Sequence, residues 1–290
     1  MKSCAEISRL ESCLLGGLLG DAWGGGFEGL PVASAVEFPA RPLISDDTQL
    51  VLATCEAILE HDGQVIPEAV AARFRAWFIS GRLSGLGSST LKALRDLAAG
   101  AHWALAGARG ESAAGNGAAM RVAPLAFFLD PARDEERRLL RDIARITHHH
   151  DEAYIGSLAM VMAIRQGARS TGLPADLLAR VAHELPDSGV RDRLRAVQEL
   201  PIEEVAQLGT SGYVVDSVPL ALRIAAQPGI SCEAAIRCAI RCGGDTDTIA
   251  SMAAQVLGAA GVGPPQSLLD AVPGVSEARE TIVGLARLVR

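Results

Sequence analysis

The sequence predicts an all-α fold, one compact all-helical domain spanning residues 1–290. Three observations carry that prediction. Aromatic residues make up only 4% of the chain, while alanine, leucine and arginine dominate, a composition that suits helices and not strands. Apolar residues recur at helical spacing in segment after segment, and nowhere do several alternating strands follow one another. Short Gly-Pro punctuation separates the segments, with no fixed-period repeat, low-complexity linker or charge block to mark a domain boundary.

The elements follow in order. The opening stretch GGLLGDAWGGGFEG (16–29) is apolar and rich in glycine, which lets helices pack closely or lets a loop bend over a site. It also holds two acids, Asp21 and Glu28, both readable as structural acids with partners. Residues 48–60 place Leu50, Ala53, Ala57 and Ile58 on one side of a helix, and His61-Asp62-Gly63 reads as the turn that ends it. Residues 67–79 begin with Pro67, a favoured first-turn residue, and continue with Val70, Phe74, Trp77 and Phe78. Further helices are predicted over 136–147, 151–166, 174–184, 190–199, 214–226, 231–241, 248–260 and 276–289. Pro228-Gly229, Gly263-Pro264-Pro265 and Pro273-Gly274 punctuate the last of these.

Composition excludes several classes. With 49% hydrophobic and 21% charged residues the chain is too apolar for disorder, and it has no unbroken apolar run of about 18 residues to span a bilayer. The N-terminal MKSCAEISRLESC carries acids where an export signal needs its apolar segment. A net charge of -7 argues against sequence-independent binding to nucleic acid, since the 27 basic residues are scattered and only Lys2 and Lys92 are lysines. Six cysteines show no CxxC pair; Cys238 and Cys242, four apart, read as small buried hydrophobes. A reduced, cytoplasmic protein is the expectation.

Two acidic clusters each open an apolar helix: Ser45-Asp46-Asp47-Thr48 before QLVLATCEAILE, and Asp245-Thr246-Asp247-Thr248 before IASMAAQVLGAA. N-capping alone would explain one acid at each place, because Ser, Asp and Thr satisfy free backbone N–H groups there. Two carboxylates per cluster exceed that need. Four of them near one point would repel unless cations neutralised them, and carboxylates with hydroxyls are hard ligands that favour Mg²⁺, Mn²⁺ or Ca²⁺. Gly115-Asn116-Gly117-Ala118-Ala119-Met120-Arg121 is small enough to bring backbone close to a ligand, with N–H groups of a following helix facing an anion. In Thr147-His148-His149-His150-Asp151 the three histidines point in different directions on a helix, so at most one serves a site.

Taken in order, GGLLGDAWGGGFEG, SDDTQL, GNGAAMRVAPLA, ITHHHDEA, GYVVDSVPLAL and GGDTDTIASMAAQVLGAAGV resemble the signature blocks of the ADP-ribosylglycohydrolase family over residues 12–262. The resemblance implies an all-α globule of that type with two Mg²⁺ or Mn²⁺ ions in a central cleft. It implies metal ligation by Ser45, Asp46, Asp47, Asp245, Asp247 and Thr248, with Asp46, Asp47 and Glu28 as candidates for the catalytic base. The loop from Ser112 through Gly115, Asn116 and Gly117 to Met120 would cradle a diphosphate, with His148 beside it and Tyr213 near the adenosine end. Hydrolysis of the bond between ADP-ribose and a modified acceptor, on protein or small molecule, is the implied reaction. ADP-ribose and ADP-ribosylated substrates are the implied partners, nucleic acid only as a modified substrate.

Two features depart from the family pattern. The loop SGRLSGLGSST (80–90) has no acid, where arginine-directed relatives tend to carry an aspartate, and the segment between Glu28 and Ser45 is short. Both bear on the acceptor. Two competing readings remain: a His-Asp helical metal phosphohydrolase prompted by His61-Asp62 and His150-Asp151, and a non-catalytic member that binds ADP-ribose.

Overall fold

Each predicted helix forms, within a few residues of its sequence boundaries. The computed structural model describes residues 4–30 and 36–289. It contains α1 (Cys4–Gly24), α2 (Asp46–Glu60), α3 (Pro67–Ile79), α4 (Ser88–Ala98) and the one-turn α5 (Trp103–Ala106). Three 3₁₀ segments follow: Glu111–Ala113, Asn116–Arg121 and Ala123–Phe127. Then come α6 (Asp134–Arg145), α7 (Asp151–Arg169), α8 (Leu177–Glu184), α9 (Gly189–Ala196) and α10 (Ile202–Gln207). The chain ends with α11 (Val214–Ala225), α12 (Cys232–Cys242), α13 (Thr246–Ala259), α14 (Gln266–Leu269) and α15 (Val275–Ala286). No strand occurs among the described residues, only isolated bridges joining Ala108 to His148 and Gly115 to Tyr213. Part of the short segment between Glu28 and Ser45, residues 31–35, lies outside the described residues.

Two local expectations change. Residues 88–98 form a helix whose first residues fall in the 80–90 stretch that reads as loop, since Gly87 at its N-cap offers no side-chain capping signal. The helix expected to follow Gly115–Arg121 is not α-helical: residues 116–121 and 123–127 wind as 3₁₀ segments. Pro124 lacks an N–H and its ring would strike the carbonyl of Met120, so a continuous α-helix through 116–127 is denied.

The centre of the molecule is the antiparallel pair α1 and α13. Gly16, Gly20 and Gly24 line one face of α1 and meet Ala254, Ala250 and Asp247 of α13. A Cβ at Gly16 would lie 2.7 Å from the Ala254 carbonyl oxygen, and one at Gly20 2.6 Å from Ala250 backbone. The glycines of GGLLG therefore serve close helix approach. Helices α7, α11 and α12 pack around α13, while α2 and α15 pack on α1. Trp23, fully buried, anchors the end of α1 by donating to the Glu37 carbonyl at 3.0 Å.

Cys238 and Cys242, which read as small buried hydrophobes, are only half-buried and face a groove beside α10, whereas Cys13, Cys55 and Cys232 are buried. No helix among the described residues is long and apolar enough to cross a membrane.

Candidate active site

The first acidic cluster is organised from outside its own helix. Ser45 is the N-cap of α2, and its hydroxyl accepts from the Asp47 N–H at 3.3 Å. Asp21, from α1, accepts from the Ser45 hydroxyl at 2.8 Å and from the Ser45 and Thr48 N–H groups at 3.0 Å each. A buried carboxylate thus satisfies the free N–H groups at the start of α2 and meets its positive end. Asp46 and Asp47 occupy the first turn.

The second cluster is positioned by backbone. Gly243 and Gly244 have φ of 73° and 77°, and a Cβ on Gly244 would strike Thr210, so the turn into α13 needs glycine there. The Asp245 N–H donates to the Thr210 carbonyl at 2.8 Å. The Thr246 hydroxyl donates to the Gly24 carbonyl at 2.9 Å, tying α13 to the end of α1. Asn116 Nδ2 donates to Asp245 Oδ2 at 2.6 Å and to the Ser217 hydroxyl at 3.1 Å.

The two ends meet although some 200 residues separate them: the Thr248 hydroxyl donates to Asp47 Oδ2 at 3.1 Å. One oxygen each from Asp21, Asp47 and Asp247 lie within 4.8 Å of one another, and the same holds for Glu28, Asp245 and Asp247. Asp247 belongs to both groups. Burial, and then the neighbouring carboxylates, push these acids up. Asp46 is raised to about 8, by burial and then Asp21, and Asp247 to about 9, by burial and then Asp245. Asp47 is driven well above the usual carboxylate range by burial and then Asp247. Asp21 is raised by burial, against the hydrogen bonds from Thr48 and Ser45. Glu28, at the exposed lip, is raised by partial burial and by Asp245.

The nearest buried cation is Arg121, itself lowered to about 9 by burial, and its guanidinium is bonded to the Gly117 and Ile143 carbonyls. One arginine does not balance so many acids. Asp47 Oδ1 is buried without a hydrogen-bond partner. An acid cluster with an orphaned oxygen and adjacent hydroxyls fits hard divalent cations.

These carboxylates floor a cavity of about 630 Å³. Of the residues the sequence singles out, Glu28, Asp46, Asp47, Ser112, Gly115, Asn116, Gly117, Met120, His148, Tyr213, Asp245, Asp247 and Thr248 line it. Ser45 does not; it turns to Asp21. The Asn116 amide faces Asp245, and its backbone N–H is taken by the Gly212 carbonyl at 2.9 Å, so it braces the acid cluster. Gly115 and Gly117 are needed for the His148 ring: a Cβ at Gly117 would lie 2.7 Å from His148 Cε1. His148 Nδ1 pairs with the Thr147 hydroxyl at 2.8 Å. Burial, aided by Arg121, pushes its pKa down to about 3, so the ring is neutral. Tyr213, 45% exposed, stands at the rim.

Sequence reasoning left Asp21 out of the site. A single acid in a glycine-leucine helix gives no pattern of its own, although it lies one turn from the glycine face that meets α13. The lining also includes Gly85, Ser88, Ser89, Thr90 and Glu111. Arg82 turns away, stacked 3.5 Å over the Trp77 ring and 3.7 Å from Glu56. The residues that prompted a His-Asp phosphohydrolase have other roles. His61 caps the end of α2, His150 caps the start of α7, and Asp151 pairs with Arg145 at 2.9 Å. No histidine joins a carboxylate cluster among the described residues.

Comparison with known proteins agrees with this geometry. The family profile described as ADP-ribosylglycohydrolase matches residues 3–290. An uncharacterized protein of Archaeoglobus fulgidus is 29% identical, covering 90% of each chain. The ADP-ribosylhydrolase ARH3 of Danio rerio is 30% identical over 87% of this chain and 82% of its own. A solved structure described as an ADP-ribosylglycohydrolase-related protein complex superposes with a TM-score of 0.78 at 28% identity, over 98% of this chain and 99% of that one. The chain belongs to the ADP-ribosylglycohydrolase family.

Proposed function

We propose that this protein is a divalent-cation-dependent hydrolase that releases ADP-ribose from a modified acceptor on protein or small molecule. The observation that carries this reading is the convergence of Asp46 and Asp47 with Asp245 and Asp247 on the floor of one cavity, with Asp47 Oδ1 left unpaired. Two Mg²⁺ or Mn²⁺ ions would be held by Asp46, Asp47, Asp245, Asp247 and Thr248, with Ser45 behind them. When bound, they would orient the distal ribose through its hydroxyls and lower the pKa of water.

The remaining work falls to the chain's own residues. Residues 112–120 line the cavity where the diphosphate would lie, and the neutral His148 ring, packed against Gly115 and Gly117, adds no charge beside it. Tyr213 offers an aromatic edge at the rim for the adenine. Cleavage at the anomeric carbon builds oxocarbenium character, which the floor carboxylates stabilise. Glu28 is the candidate base best able to reach an incoming water, since it is exposed and free of the bonds that occupy Asp47. Its raised pKa brings it toward the range in which a general base works.

The test is release of ADP-ribose from arginine-, serine- and nucleic-acid-linked substrates, with chelator or with added metal. Metal-stimulated release by the wild type and none by Asp247→Asn is the expected result. A folded wild type that binds ADP-ribose and releases none from any substrate would make the protein a non-catalytic member of its family.

A further inference from the structure

Away from the cleft, Cys238 and Cys242 form an unusual pair. They sit one turn apart at the end of α12, and both line a cavity of about 370 Å³ with Ile202, Glu203 and Arg241. Gln227 Nε2 lies 3.7 Å from Cys238 Sγ and donates to it. Three other cysteines differ. Cys13, Cys55 and Cys232 are sealed in the core, and burial raises all three thiols, that of Cys232 to about 12. Cys238 is instead drawn down to about 7, chiefly by a hydrogen bond from the Cys242 thiol, while Cys242 is held far up by the same bond. Arg241 favours the Cys238 thiolate and Glu203 opposes it. Half-buried in the wall of a groove, with Gln227 donating to its sulfur and Arg241 favouring its thiolate, Cys238 is placed to be the more reactive of the pair.

We propose that Cys238 and Cys242 are a dithiol oxidation site, where a small hydroperoxide is reduced and a disulfide is left within the last turn of α12. The Cys238 thiolate attacks the O–O bond, taking one oxygen as sulfenic acid and releasing hydroxide or alkoxide. Cys242 sulfur then attacks Cys238 sulfur, the S–S bond forms, and water leaves with the Cys242 proton. Side chains four apart on a helix have Cβ atoms about 5–6 Å apart, and a disulfide needs about 3.5–4.5 Å. The turn must therefore tighten. Cys242 is the last helical residue, so the movement falls on the end of α12 and on Gly243, ahead of the point where Gly244 and Asp245 meet Thr210.

The sequence supplies a direct assay, because Arg241 lies between the two cysteines. Trypsin cuts there, so the disulfide links the peptide Cys238–Arg241 to the peptide beginning at Cys242, and reduction separates them. Reduced full-length protein treated with hydrogen peroxide should show this linked pair. Cys242→Ser should leave Cys238 as a sulfenic acid trapped by dimedone, and Cys238→Ser should leave no trapped adduct at Cys242. Iodoacetamide should label Cys238 at least about tenfold faster than Cys232 in the folded protein. Peptides that stay unlinked after peroxide, or a Cys238 labelled no faster than Cys232, would overturn the proposal.

Discussion

The floor and the mouth of the cleft are built on opposite plans. The floor consists of the N-termini of α2 and α13, with the end of α1 in backbone contact with α13 and Asp21 bonded to the start of α2, so its carboxylates are fixed by close packing and buried hydrogen bonds. The mouth consists of turns and exposed side chains: Gly85 and Ser88 on one side, Glu111 and Ser112 on another, Tyr213 at the rim. Burial makes like charges costly and gives them leverage on a cation, whereas exposure leaves the mouth cheap to vary. On the proposed reading, chemistry belongs to the first region and choice of acceptor to the second.

The largest effect should come from separating the helices beneath the floor. Gly24 approaches the Asp247 Cα so closely that a Cβ would lie 2.5 Å from it. Gly24→Ala should destabilise the fold by about 1–3 kcal/mol or more, and a displaced Asp247 should cost about a hundredfold in turnover. Asp21→Asn keeps the volume but sets an amide donor against the N–H groups of Ser45 and Thr48, an expected loss of about 1–3 kcal/mol. Chemical denaturation and turnover on both variants check this. A Gly24→Ala protein with native stability and turnover would show that helix contact does not set the floor.

The same contrast governs what was legible in the sequence. Paired acids before apolar helices marked Asp46, Asp47, Asp245 and Asp247, because each pair exceeds what a helix cap requires. Asp21 was not legible: its partners, Ser45 and Thr48, are 24 and 27 residues away, and nothing local records them. Gly115 and Gly117 were readable as small, but the reason, a His148 ring pressed against them, depends on tertiary structure. At the mouth, α4 was missed since its start carries no cap. The orientation of Arg82 was hidden for another reason, being set by Trp77 and Glu56 on neighbouring helices.

A smaller effect concerns the floor in the absence of divalent cations. Asp46 and Asp247 have folded pKa values of about 8 and 9, against 3.8 in an unfolded chain. Between those limits the folded protein binds more protons than the unfolded one, so stability falls as pH rises. In chelator, the melting temperature should drop by several degrees from about pH 5 to about pH 8. Added Mg²⁺ or Mn²⁺ should restore it most at the higher pH, since binding to the folded state adds stability. A melting temperature in chelator that holds level or climbs across that range would contradict a floor of mutually repelling acids.

The smallest effect should lie at the mouth, in the choice of acceptor. A guanidinium leaving group is planar and cationic, and a site that selects it offers a carboxylate for bidentate pairing. Residues 80–90 contribute Ser88, Ser89 and Thr90, the first residues of α4, to the cavity wall and no acid, while Arg82 is withdrawn over Trp77 and neither attracts nor repels there. Hydroxyl-linked ADP-ribose should accordingly be cleaved at least as well as arginine-linked ADP-ribose. Glu111 is the one acid the mouth offers from the diphosphate-loop side, exposed and therefore screened. Measuring kcat/KM on arginine- and serine-linked substrates at equal metal concentration separates these contributions. A tenfold preference for arginine, about 1.4 kcal/mol of transition-state discrimination, would show that the mouth pairs with guanidinium after all. Glu111→Gln should then erase that preference and leave the serine-linked rate unchanged. With serine favoured, Ser88→Asp becomes the informative variant: it should raise the arginine-linked rate by a few-fold, because it places a carboxylate in the wall the leaving group must pass.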